Sequence, residues 1–261
     1  MRNWRSLFKI CVATLLLALV WCTPVQASNL PTHSELRETL QEVVNQENGG
    51  LGLNMWGTIV DRDGIVQAVV FTGTDRGDQW PGSRVIAAQK ANTANAFSLP
   101  ALALSTANLF SAVQPGESLF GLQFSNPVDT SVAYAGPVEN IGTSNDPMVG
   151  EKIGGVNVFG GGLPLYDPEG NLLGALGVSG DYSCADHIIA WKVRYQLNLD
   201  NVPKGVSPTN DDNIVYDIVS DSDTGEKDSA SGWGHRECAP KTTKIGQNLP
   251  KSHPTGAEMS Q

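Results

Sequence analysis

Gly160-Gly161-Gly162-Leu163-Pro164-Leu165-Tyr166-Asp167-Pro168-Glu169-Gly170-Asn171-Leu172-Leu173-Gly174-Ala175-Leu176-Gly177-Val178-Ser179-Gly180 is the stretch that decides the fold. At its centre, Asp167 to Asn171 read as a tight turn. Proline presets φ, glycine tolerates positive φ, and the Asp and Asn side chains bond neighbouring backbone. The flanks, Gly155 to Leu165 and Leu172 to Ser179, are β-rich, so the stretch predicts a hairpin and therefore antiparallel neighbours. Glycine weakens a strand unless something approaches the backbone closely. That leaves two explanations open, tight packing by a helix or the approach of a ligand or second subunit. The spacing is not a phosphate-binding loop, since no Gly-Lys-Ser and no strand-to-helix G-x-G-x-x-G occurs here.

An earlier hairpin has the same form. Leu51 to Val60 and Ile65 to Thr72 flank Asp61-Arg62-Asp63-Gly64, a carboxylate and glycine turn. Upstream, Thr32 and Glu35 form a capping box after Pro31, and Leu36, Leu40, Val43 and Val44 share one helical face that Asn48-Gly49-Gly50 ends. Between the hairpins Ser83 caps a second helix through Ala87, Ala88, Lys90, Ala91, Thr93 and Ala94 to about Phe97, whose small side chains suit close contact with a sheet. A short helix through Leu104 and Leu109 follows Pro100. After the second hairpin Ser183 caps a closing helix bearing Ile188, Ile189, Trp191, Val193, Tyr195 and Leu197. The order is α-β-β-α-(α)-β-β-α, an α/β chain of the α+β type. A mainly antiparallel sheet flanked by helices buries these faces most simply.

Residues 28–199 make one domain, with a surface insertion at about 124–152 that lacks periodicity. Residues 200–261 are a polar, partly disordered extension by composition, with an apolar island at Ile214 to Val219 and an aromatic at Trp233. Residues 1–27 read as a signal peptide. Arg2, Arg5 and Lys9 precede an apolar run from Ile10 to Trp21 that is too short to span a bilayer, and small residues place cleavage after Ala27. The expected location is periplasmic or secreted. The chain has 17 basic and 27 acidic residues; the leader removes three basic ones, so the mature chain carries about −13. That excess argues against nucleic acid as a partner, and no further apolar stretch reaches the length of a membrane span.

Lys90-Ala91-Asn92-Thr93-Ala94, Gly161-Gly162-Leu163-Pro164-Leu165, Gly174-Ala175-Leu176-Gly177-Val178-Ser179-Gly180 followed by Asp186, and the Val60 to Gly64 turn occur in this order. In this ordered set, over about Thr32 to Leu197, the chain resembles the GlcG and HbpS-like haem-binding (haem-degrading) proteins. The resemblance implies α/β/α layers, assembly into a dimer or higher homo-oligomer, and haem or a related tetrapyrrole as ligand. It marks Lys90, Thr93, Gly161, Gly162, Ser179, Gly180 and Asp186 as the ligand-binding set. Asp181 departs from the pattern, standing where a glycine usually follows Ser179-Gly180.

A haem iron usually takes a histidine, and the axial candidates are His33, in the first turn of the first helix, and His187, beside Asp186. Lys90 and Thr93 share a helical face. Lys90 suits a propionate or a small carboxylate and Thr93 a hydrogen bond to ligand, while the competing reading has Thr93 bonded to its own helix and Lys90 to a structural acid or solvent. Ser179 has no histidine and acid partner by spacing, so it is not read as a nucleophile. Cys184 and Cys238 form a disulfide by default in an oxidising compartment. Cys184-Ala185-Asp186-His187 and His235-Arg236-Glu237-Cys238 also make mirrored pairs with zinc-ligand spacing, a reading that thiol oxidation disfavours. The function expected is sequestration, sensing or delivery of haem. The alternatives are an enzyme of haem degradation or of small organic acids, and an interaction module that docks through its extension.

Overall fold

The computed structural model describes residues 30–220 and 227–256. The expected leader, with its cleavage point after Ala27, lies outside the described residues. A four-stranded antiparallel sheet in the order β2-β1-β4-β3 is built from β1 (Trp56–Asp61), β2 (Val66–Phe71), β3 (Gly162–Tyr166) and β4 (Leu172–Ser179). Helix α1 (His33–Val44) and helix α5 (Ser183–Gln196) cover one face, and α2 (Ser83–Phe97) covers the other. This is the expected mixed fold of helices on an antiparallel sheet.

Alternation along β1 assigns the two cores. Ile59 faces α1 and α5 with Leu36, Leu40, Leu176, Val178 and Ile188, while Trp56 and Val60 face α2 with Ala87, Ala91 and Ala94. The capping box at Thr32 and Glu35 forms. The first turn closes with Gly64 N–H on Asp61 O at 3.0 Å, and Asp61 Oδ1 accepts from the amides of Asp63 and Ile65. At Gly177 a Cβ would stand 1.9 Å from Ala87 O, and at Gly162 2.5 Å from Lys90 O. The glycines of the hairpin therefore let the α2 backbone lie directly on β4 and β3.

Several boundaries differ from the sequence reading. β1 starts at Trp56, because the amides of Leu51 and Gly52 are tied to the Asp181 carboxylate and leave the strand direction. β3 starts at Gly162, because side chains of α2 take the preceding backbone: Asn92 donates to Gly155 O and Thr93 Oγ1 accepts from Asn157 N–H. The helix expected after Pro100 is two 3-10 turns, Thr106–Leu109 and Ser111–Val113; the first is opened by a reciprocal Ser105 and Asn108 cap, and Gln114-Pro115 ends the second. Ser83 and Ser183 are the first helical residues of α2 and α5, and neither is the cap.

The insertion is a packed cover. It carries two single-turn helices, α3 (Leu122–Ser125) and α4 (Thr130–Ala133). Arg84 of α2 grips both oxygens of Asp146 at 2.9 and 2.5 Å and donates to Ala133 O at 2.8 Å. Met148 and Ile153 join the α2 core. The extension is packed too, contrary to its composition. It forms a small ribbon of β5 (Ile218–Ser220) and β6 (Lys227–Ser229), then α6 (Pro240–Ser252), which lies on α5 and buries Leu249. Arg194 of α5 donates to both oxygens of Asp212 at 2.7 Å with both side chains fully buried, and Cys184 is bonded to Cys238. Ile214 and Val215 of the expected apolar island are buried. Polar composition misleads here because the buried carboxylates of Asp211 and Asp212 are bonded, to Ser207 and Asn213 and to Arg194, which removes the cost that favours solvation.

Removing one partner of a fully buried pair strands the other charge. Asp212→Asn is expected to lower the unfolding free energy by about 3–5 kcal/mol in urea titration. A loss below about 1 kcal/mol, the size of an exposed pair, would show that Arg194 does not depend on Asp212.

Candidate functional site

Lys90 rises from α2 past the end of the sheet to reach α5. Its Nζ donates to Asp186 Oδ2 at 2.7 Å and to Val178 O at 3.0 Å, and Asp186 Oδ1 accepts from Asp181 N–H at 2.8 Å. Gly161 makes room for it: a Cβ there would lie 3.2 Å from Nζ and 2.4 Å from Val178 O, and φ is +114°. Burial pushes Asp186 up to about 6 and pushes Lys90 down, each opposed by the other's charge. The two form a salt bridge shut off from solvent, 1% and 2% exposed.

The structure thus brings together four of the sequence-marked residues, Lys90, Gly161, Gly162 and Asp186, in a closed interior. Thr93 is turned to its own helix, with Oγ1 donating to Gln89 O at 2.7 Å. Ser179 is buried opposite Trp56 in the β1–β4 register, and Gly180 packs on Asn54 and Met55. None of the seven lines the cavity described below. The carboxylate of Asp181 is spent on the amides of Leu51, Gly52 and Tyr182.

His187 is fully buried. Its Nε2 lies 3.1 Å from the amide of Ile214 and 3.2 Å from Asn213 Oδ1, and its Nδ1 has no partner among the described residues. It supports the extension and is closed to a ligand. His33 is half-buried, with Nε2 at 3.0 Å from Gly142 O in the insertion. The joined sulfurs of Cys184 and Cys238 are not available as thiolate ligands, and among the described residues no cluster of three His, Cys, Asp or Glu side chains has metal-binding geometry.

A cavity of about 450 Å³ opens at the start of α2, between the 75–77 loop and the insertion. Trp56, Pro81, Val85, Tyr134 and Ile141 give it apolar walls, and Arg76, Arg84 and Gly82 bring cations and the first turn of the helix to it. Arg84 is neutralised by Asp146, whereas among the described residues Arg76 has only Asp75, at 3.9 Å, with both side chains solvated. Gly82 precedes α2 with no side-chain cap, so the helix dipole adds positive potential there. Sequence reading missed this cavity because its walls come from three separated segments. Trp56 and Arg84 carry no signal of it by spacing.

Burial, with the Arg194 charge as a second cause, pushes His187 down to about 3. The unfolded chain takes up that proton below about 6.5 and the folded chain does not. The stability His187 contributes is complete above pH 6.5 and is lost as pH falls toward 3. Asp186 and Asp200, both raised to about 6, act in the opposite sense, so the difference from a variant isolates the histidine. The advantage of wild type over His187→Gln in urea unfolding should shrink by about 1.4 kcal/mol for each pH unit below 6.5. A difference independent of pH would mean that His187 titrates normally.

The family model for haem-degrading proteins of the HbpS-like type matches residues 32–194. Among solved structures, a PduOC–haem complex is 25% identical over 62% of this chain and 88% of its own, with a TM-score of 0.42. Klebsiella pneumoniae protein ORFY is 23% identical over 64% and 90%, with a TM-score of 0.43. HbpS is 17% identical over 62% and 83%, with a TM-score of 0.36. Among curated proteins none matches. The matched region holds both hairpins, the Lys90–Asp186 pair and most of α5, and the chain belongs to the HbpS-like family of haem-degrading proteins.

Proposed function

We propose that this protein binds haem or a related tetrapyrrole in the cavity at the start of α2, outside the cytoplasm, for sequestration, sensing or delivery. The observation that carries the reading is a cavity of macrocycle-binding character in an HbpS-like chain. Its walls are apolar, its about 450 Å³ falls within the usual range for ligand sites, and Arg76 and Arg84 are among its lining residues. Trp56, Val85, Tyr134 and Ile141 would hold the ring, while Arg76 and the first amides of α2 would meet the propionates. No histidine lines the cavity. His33 reaches the same wall through Gly142, the neighbour of Ile141, and is the axial candidate once it leaves that carbonyl. Iron bound there would supply redox and oxygen chemistry, and the protein's part is to enclose the ring and set its axial field.

Export rests on the leader pattern, and a disulfide suits an oxidising compartment. Assembly into a homo-oligomer follows from the family resemblance and is supported by the exposed Phe120, just before the insertion, and Phe124, Tyr134 and Val138 within it, apolar surface that a second copy would cover. Among the described residues no helix is long and apolar enough to cross a membrane.

The test is a haem titration of residues 28–261 followed by absorbance. Wild type should show a saturable Soret shift, and His33→Ala should change its position. At Gly82 a Cβ would meet open space and φ is −63°, so Gly82→Trp fills the cavity without strain and should abolish the shift. A wild-type spectrum identical to free haem defeats the reading, and undiminished binding by Gly82→Trp removes the ligand from this cavity.

A further inference from the structure

Ser183 opens α5, partly exposed, with its Oγ 2.7 Å from Nε2 of His235. Nδ1 of the same ring lies 2.7 Å from the carbonyl of Arg236, which can only accept. The hydrogen therefore sits on Nδ1 and the lone pair on Nε2, so the Ser183 hydroxyl is the donor. That is the order in which an imidazole takes up a serine proton, with a main-chain carbonyl in the role of the orienting acid.

The arrangement is rigid. The disulfide joins the residue after Ser183 to the residue three beyond His235. The His235 amide donates to Val215 O at 2.7 Å, Ser111 Oγ donates to Gly234 O at 2.6 Å, and the Phe110 ring lies 4.6 Å from the imidazole. The Gly160 N–H also reaches Ser183 Oγ, at 2.7 Å, beside the open first turn of a 14-residue helix. That bond and the His235 contact together fix the position of the Ser183 oxygen.

We propose that Ser183 and His235 form a nucleophilic dyad that accepts the acyl group of a small ester, a chemistry independent of tetrapyrrole binding. Ser183 Oγ attacks the ester carbonyl while its proton passes to His235 Nε2. The tetrahedral adduct expels the alkoxide, which takes that proton and leaves as the alcohol, and the acyl group stays on Ser183 as an ester. Water, deprotonated by Nε2, then releases the carboxylic acid and restores the serine. Phe159 and Tyr182, next in the chain to Gly160 and Ser183, are 47% and 41% exposed and favour an ester with an apolar acid portion. Burial pushes His235 down to about 4, with the Lys90 charge acting in the same direction. The base form is therefore present throughout neutral pH. A base this weak makes turnover slow, so covalent capture is the readout.

The oxidised full chain is treated with an alkyl fluorophosphonate, whose P–F bond breaks as the Oγ–P bond forms with loss of HF, and the label is mapped by mass spectrometry. One label at Ser183 is expected. It should be absent in Ser183→Ala and about 100-fold slower in His235→Gln, the usual contribution of a general base. The wild-type rate gives a second readout that needs no variant. It should be flat across neutral pH and fall as pH drops toward 4, whereas an unassisted serine speeds up about tenfold per pH unit through its alkoxide. Gly82→Trp should label normally, which separates this site from the cavity. Labelling no greater than in heat-denatured protein, or a rate that rises steadily with pH, would make the contact a structural clamp and overturn the proposal.

Discussion

The buried pair of Lys90 and Asp186 is the constraint around which the fold is arranged. It ties the helix on one face of the sheet to the helix on the other, across the sheet's end and with almost no water. A lysine can make that crossing only if the strand beside it has no side chain, which is the role of Gly161. A cation can remain there only if it is paired and hydrogen-bonded, and Asp186 and Val178 O take two of its three N–H donors. The small residues of α2 follow, since the helix must sit close enough for Lys90 to reach. The chemistry that made these residues look like a ligand site, a lysine and an acid framed by glycines, is here turned inward on itself.

Two more buried pairs repeat the device for the segments that surround this core. Arg84–Asp146 fastens the insertion to α2, and Arg194–Asp212 fastens the extension to α5. In each, an arginine on a core helix meets an aspartate on the added segment, and the guanidinium fork engages both oxygens. The insertion then becomes one wall of the cavity through Tyr134 and Ile141, and the extension delivers His235 to Ser183. The features that distinguish this chain within its family region are thus made by parts that periodicity alone reads as surface.

What was legible in the sequence was local. Turn chemistry at Asp61 to Gly64 and Asp167 to Asn171 specified both hairpins, and the Thr32 capping box marked the first helix. Glycine in β3 and β4 signalled close approach, and of the two explanations held open, helix packing accounts for Gly162 and Gly177. The rest depended on side chains meeting across long separations. Nothing near Asp212 or Asp146 shows that an arginine will neutralise it, so composition alone made residues 200–261 look solvated. His187 was read as an axial-ligand candidate because its neighbour Asp186 is a motif residue, yet its imidazole is covered by Asn213 and Ile214. The cavity, assembled from three segments, left no trace in spacing.

The Asp181 carboxylate reaches across to the loop at residues 50–52, and a Cβ on Gly50 would lie 2.6 Å from its Cγ. Any side chain at position 50 would have to displace the carboxylate that holds the Leu51 and Gly52 amides. The bare backbone of one glycine is thus what lets the loop before β1 stay fastened to the residue that leads into α5.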